Sequence, residues 1–179
     1  MEVSNNFVEN FLRDRDKRVE YQKKLSNKYH KSIVCIRVNF PGINKDNVTS
    51  RKINEIIYNI LTGMIKDKII YENSFVTLEG PISILVVNEK SNQLKENCLQ
   101  IEEYHPLGRI VDIDVYDENY KGLSRVSFGR MPRRCYLCDE LAVVCSRTKR
   151  HPETEIVSFI ERSLWEYEYN IENNDYNTV

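Results

Sequence analysis

Arg109-Ile110-Val111-Asp112-Ile113-Asp114-Val115 is the stretch on which the reading of this chain turns. Side chains alternate between the two faces of a β-strand. In a strand over 109–116, Asp112 and Asp114 therefore point the same way, while Ile113 and Val115 pack behind them. Working back toward the N-terminus, 93–104 reads as a helix, and 69–78 and 82–87 as two strands around Gly80-Pro81. A helix over 50–67 carries Ile53, Ile56, Ile57, Ile60, Leu61 and Met64 at helical spacing. Ser32 to Phe40, rich in β-branched residues, reads as a strand ended by the turn Asn39-Phe40-Pro41-Gly42. Toward the C-terminus, 123–128 reads as a shorter strand and 129–150 as a turn-rich loop bearing cysteines. Pro152 suits the first position of a last helix that runs to about Tyr167, with a frayed end from Asn170 on. Helices and strands mix along the chain without an internal repeat or a linker. The expectation is a single domain over 1–179, α+β or α/β, built on a mixed sheet with a Cys-rich loop before the C-terminal helix.

The first helix is predicted to start at Asn6, which with Glu9 resembles a capping box. Phe7, Val8, Phe11, Leu12 and Val19 give it an apolar face. Arg15 and Gln22 fall on that same face, so they need polar partners or reach a site.

The 179 residues are 41% hydrophobic and 30% charged, which fits neither a membrane protein nor a disordered chain. No apolar run approaches the roughly 20 residues of a membrane span. Met1-Glu2-Val3-Ser4-Asn5-Asn6 lacks the basic and apolar regions of a signal peptide, so the expected compartment is the cytoplasm. A net charge of -1 hides two basic regions, 13–31 and 121–151, each with eight Lys or Arg. Such clustering in a near-neutral chain suggests a local anionic ligand rather than a long polyanion.

Asp112 and Asp114 repel one another unless a cation sits between them. A divalent ion supplies that charge, and Mg²⁺ favours one or two carboxylates with phosphate oxygens and water. Asp-x-Asp also serves glycosyltransferases, so the pair alone does not choose the reaction. Cys135-x2-Cys138-x6-Cys145-x5-His151 offers the three sulfurs and one nitrogen of a structural zinc site, although the second half has unusual spacing. The alternative is three reduced thiols and an unrelated histidine. Cys35 and Cys98, in apolar stretches, read as buried residues. His30 reads as a surface residue, and His105, just before the acidic strand, as a packed one.

The order His105-Pro106-Leu107-Gly108-Arg109, Asp112-Ile113-Asp114-Val115, Leu123-Ser124-Arg125, Arg133-Arg134-Cys135, Cys138, Ala142, Cys145-Ser146-Arg147 and Arg150-His151 is distinctive. It resembles the holo-acyl-carrier-protein synthases of citrate lyase, also called apo-citrate lyase phosphoribosyl-dephospho-CoA transferases. Arg13-Asp14-Arg15-Asp16-Lys17-Arg18 with Gln22, and Asn39-Phe40-Pro41-Gly42 with Lys45, agree. The resemblance implies transfer of a phosphoribosyl-dephospho-CoA group from a triphosphoribosyl-dephospho-CoA donor to a serine of the citrate lyase acyl-carrier subunit, with release of pyrophosphate. It implies catalytic Asp112 and Asp114 on Mg²⁺. Arg109, Arg125, Arg133, Arg134, Arg147 and Lys45 are its candidate phosphate ligands, because guanidinium forks match phosphate oxygens. Arg15 and Gln22 are further substrate-binding candidates. The nucleophile lies on the partner, and a third carboxylate or His105 would be the base. A nucleotidyltransferase-like core is the matching fold expectation. Two other classes remain open at this point: a zinc-stabilised nucleic-acid or protein-binding module, and an Asp-x-Asp glycosyltransferase.

Overall fold

The computed structural model describes residues 5–175. Five helices and four strands follow in the order α1 (Asn5–Tyr29), β1 (Ser32–Val38), α2 (Val48–Ile65), β2 (Ile69–Thr77), β3 (Gly80–Val87), α3 (Ser91–Tyr104), β4 (Val111–Tyr116), α4 (Ala142–Thr148) and α5 (Glu153–Asp175). The sheet order is β2-β3-β1-β4. The α+β class is as expected, but every strand pair is antiparallel, so the sheet itself is not mixed.

Burial along each strand follows its place in the sheet. All of β3, and all of β1 except the half-buried Arg37, is buried, because both faces of these central strands are covered. The edge strands β2 and β4 alternate instead. On one face, Leu25 of α1 packs with Ile33, Cys35, Ile82, Ile84 and Val86. On the other face, α2, α3 and α5 close the larger core, where Val111, Ile113 and Val115 meet Ile57, Leu61, Leu94, Cys98 and Ile160. Cys35 and Cys98 are fully buried, and burial pushes each thiol up to about 12.

α2 begins with a reciprocal cap: Asn47 Oδ1 accepts from Ser50 N at 2.9 Å and Ser50 Oγ from Asn47 N at 3.1 Å. Ile53, Ile57, Leu61 and Ile65, four residues apart, are its buried stripe. β2 and β3 join through Leu78-Glu79, with Gly80 opening β3. Gly80 adopts φ +92, a conformation that side chains with a Cβ disfavour, and this tight turn places Glu79 under α1.

Four boundary expectations are corrected. Asn6 lies inside α1, which already includes Asn5, so it is not the cap. The segment 123–128 is not a strand. Ser124 caps a 3₁₀ turn over Arg125–Phe128 by accepting from Val126 N, and the exposed Val126 has no core to face. The Cys-bearing loop contains a helix of its own, α4. The last helix runs to Asp175, beyond the end expected near Tyr167; 176–179 lie outside the described residues. Among the described residues, no helix is long and apolar enough to cross a membrane.

Candidate active site

β4 presents its two aspartates on the α1 side of the sheet. Both side chains are about one-third exposed, at 35% and 38%. Their neighbour on β1 is Arg37, which pairs in register with Asp112 and therefore shares their face. Arg37 Nη2 lies 2.8 Å from Asp114 Oδ2 and 3.4 Å from Asp112 Oδ2. The cation that the two like charges demand is thus already a guanidinium. This corrects the inference that repulsion by itself calls for a metal.

Behind Arg37 stands a buried acid. Glu79 Oε2 is 3.6 Å from Arg37 Nη1, and Arg18 of α1 grips both Glu79 oxygens at 2.8 and 3.0 Å. Arg18 also donates to Gln22 Oε1 at 3.2 Å, and Tyr120 Oη donates to the same oxygen at 2.9 Å. Arg37 and Arg18 both titrate above the ordinary arginine range: burial works to lower them, but their acidic partners outweigh it.

On the other side of the pair, Arg133 reaches Asp112 Oδ1 at 3.2 Å and the buried Glu102 Oε1 at 2.6 Å. Glu102 Oε1 also accepts from Ile113 N at 2.9 Å, while Lys95 Nζ donates to Ile113 O at 2.9 Å and Arg133 Nη1 to Val111 O at 2.6 Å. Burial raises Glu102 above the usual carboxylate range despite the charges of Arg133 and Lys95. Lys45 donates to Phe40 O and lies within electrostatic reach of Glu153, Arg37 and Glu79; burial lowers its amine below the ordinary value.

The predicted residues therefore separate. Asp112, Asp114, Arg133, Lys45 and Gln22 gather around one centre. Arg15 does not join them: its side chain is 52% exposed and faces Asp16, while Arg18, four residues before Gln22, takes the inward position. Arg109 donates to the carbonyls of Arg134 and Cys135, both at 2.8 Å, and so pins the loop. Arg125 pairs with Glu103 at 3.0 Å, Arg134 donates to Asp139 O at 2.6 Å, and Arg147 is exposed on α4. Arg37, Glu79 and Glu102 are not among the residues that the sequence points to, and Arg18 enters there only as the end of the stretch 13–18. The available signals were Arg37 interrupting an apolar strand and Arg18 spaced one helical turn from Gln22.

The thiol cluster closes as its spacing suggests. One donor atom from each of Cys135, Cys138, Cys145 and His151 lies within 4.8 Å of the others, so the group can hold a metal ion. Cys138 Sγ is 3.5 Å from Cys145 Sγ and 3.3 Å from His151 Nε2. Burial opposes ionisation of Cys135, but the N–H groups of Leu137 and Cys138 and the neighbouring thiols hold it below the ordinary thiol value. The cluster sits two residues beyond Arg133, whose carbonyl accepts from Ala142 N at 2.9 Å. His105, as expected, is packed: its ring lies 4.9 Å from that of Tyr167, and Nδ1 accepts from Leu107 N at 3.1 Å. His30 is exposed.

A family model described as apo-citrate lyase phosphoribosyl-dephospho-CoA transferase matches residues 7–167. The chain belongs to this transferase family. It is therefore an enzyme, and the binding-module and glycosyltransferase readings are not favoured. Among curated relatives, protein CitXG of Leuconostoc mesenteroides subsp. cremoris is 34% identical over 161 residues, which is 88% of this chain and 34% of that protein. The chain thus spans about a third of that relative's length. The apo-citrate lyase phosphoribosyl-dephospho-CoA transferases of Shigella boydii serotype 18 and Escherichia coli O157:H7 are each 31% identical over 160 residues, covering 88% of this chain and 87% of theirs. The matched span includes both the acidic centre and the Cys₃His cluster of this family member.

Proposed function

We propose that this chain transfers a phosphoribosyl-dephospho-CoA group from a triphosphoribosyl-dephospho-CoA donor to a serine of the citrate lyase acyl-carrier subunit, in the cytoplasm. Chemically this is nucleotidyl transfer. The serine oxygen attacks the donor's α-phosphorus, the bond to pyrophosphate breaks, and a phosphodiester forms as the serine proton leaves. The observation that carries the proposal, beside family membership, is a partly exposed aspartate pair on the edge strand held between Arg37 and Arg133, with Lys45 within electrostatic reach of Arg37.

Each group has a task that suits this chemistry. Asp112 and Asp114 share one face and remain partly exposed, so they fit a Mg²⁺ that would neutralise the departing pyrophosphate. Arg133 and Lys45 would hold phosphate oxygens, with Arg133 kept in place by the buried Glu102. The partner supplies the nucleophile, so none is needed here. The Cys₃His cluster suits zinc in a structural role, with all four positions taken by protein. Folded around zinc, the segment 135–151 would hold Arg133 against the aspartates.

The test is to incubate the protein with Mg²⁺, the donor and the apo acyl-carrier subunit, and to follow carrier mass and pyrophosphate. A carrier heavier by one phosphoribosyl-dephospho-CoA group and equimolar pyrophosphate are expected. An unmodified carrier would end the proposal.

A further inference from the structure

The acid pair is occupied from within. One amino group, Arg37 Nη2, contacts an oxygen of each aspartate, which is the place a single bridging cation would take. Arg37 is braced from behind by Glu79, and Glu79 in turn by Arg18. The four carboxylates of Asp112, Asp114, Glu79 and Glu102 face the three guanidiniums of Arg18, Arg37 and Arg133, with Lys95 near Glu102. The centre is close to neutral as it stands. A lone divalent cation entering it has to displace Arg37 from both aspartates and leaves that guanidinium only Glu79, which Arg18 already engages. A polyphosphate arriving with the cation brings the missing negative charge. The network also has donors to spare: Arg37 Nε and Gln22 Nε2 are buried without a hydrogen-bond partner. Buried donors are rarely left so, and an acceptor such as a phosphate oxygen would complete them after a small shift.

We infer that Arg37 gates the acid pair, so that Asp112 and Asp114 take a divalent cation only together with a polyphosphate, to which Arg37 then turns. The inference rests on the proposed metal role of the aspartates. It adds a residue outside the sequence candidates and an order of binding: cation and triphosphate enter as one complex.

The test uses Mn²⁺ as a spectroscopic probe on the full-length protein, its Cys₃His group loaded beforehand with zinc, and without donor or carrier. Bound Mn²⁺ is read by electron paramagnetic resonance and water proton relaxation. For wild type, weak binding of Mn²⁺ alone is expected, strengthened when inorganic tripolyphosphate is added. In Arg37→Gln, affinity for Mn²⁺ alone rises about tenfold or more, the scale of removing one positive charge from contact at a partly screened site. That gain disappears when Asp112→Asn is added, and tripolyphosphate strengthens the single variant much less than wild type. Arg37→Lys, which keeps a charge but not the fork, falls between and serves if Arg37→Gln is poorly folded. Equal Mn²⁺ affinity in wild type and Arg37→Gln overturns the inference, as does the absence of any tripolyphosphate effect in wild type. An unmodified carrier in the transfer assay, with these binding results intact, would instead count against the proposed reaction alone.

Discussion

Replacing Glu79 by glutamine tests the brace behind the acid pair. The Glu79 side chain is only 4% exposed and that of Arg18 5%. Glu79 Oε1 meets Arg18 Nε, and Oε2 meets both Arg18 Nη2 and Arg37 Nη1. Glutamine keeps one acceptor oxygen, but its amide nitrogen would face a donor. It also leaves two guanidiniums close together without the anion between them. Breaking a buried pair by removing one partner costs about 3–5 kcal/mol. At 2–4 °C per kcal/mol for a chain of this size, the melting temperature should fall by roughly 6–20 °C. The assay is thermal and urea unfolding followed by far-UV circular dichroism. Replacing both partners, Arg18→Met with Glu79→Met, should recover most of the loss, because the cost lies in the orphaned charge rather than in the pair. A loss below about 1 kcal/mol in Glu79→Gln would show that solvent reaches and screens this pair, and would refute the reasoning. A double variant no more stable than Glu79→Gln would refute it as well.

Asp112→Asn should abolish carrier modification and shift stability by less than about 1 kcal/mol, since the aspartate is a third exposed and its ion pairs are partly screened; retained transfer would remove its role. Metal analysis should find about one zinc per chain, and Cys138→Ser should lower both zinc content and melting temperature, as expected where a metal site stabilises the fold. Gly108→Ala would set a Cβ 2.0 Å from Ile101 O at the end of α3, a backbone clash that should cost about 3 kcal/mol or more in urea unfolding. Burial holds His105 below its ordinary value of 6.5, so below that pH the unfolded chain binds the proton more readily. Stability should be full above 6.5 and decline as the pH falls through it, and His105→Gln should flatten that decline in melting curves taken across pH.

The strands were legible because alternation and continuous apolar runs report burial directly. β4 shows its period of two, and β1 and β3 show the mostly apolar runs of central strands, broken only by Arg37 and Ser83. The aspartates followed from the same pattern, and the Cys₃His group from spacing within one short segment. Their partners come from other segments. Arg37 meets Asp114 across 77 residues, and Arg18 meets Glu79 across 61. No local period encodes such a meeting. Val8 and Leu12, at helical spacing with Arg15, suggest an inner face that includes Arg15, whereas both are exposed and Arg18 is the buried arginine. The buried face of α1, with Arg18, Gln22 and Leu25, is rotated from that apolar stripe by less than a quarter turn. The strand expected over 123–128 failed because Ser124 offers the backbone a turn instead, and side-chain capping of this kind competes with strand pairing.

β4 lies at the border of the sheet, and an unpaired strand border is a template on which a second chain can add itself. Here that border is sealed. Ile113 N–H goes to Glu102, Ile113 O to Lys95, Val111 O to Arg133, and Val115 O to Leu123 N. The side chains that hold the acid pair in place thus also keep the strand from recruiting neighbours. Substitutions at Glu102 or Arg133 bear on solubility as well as on the proposed transfer, and a variant there that aggregates during expression has lost the cover of a β-edge before any question of rate arises.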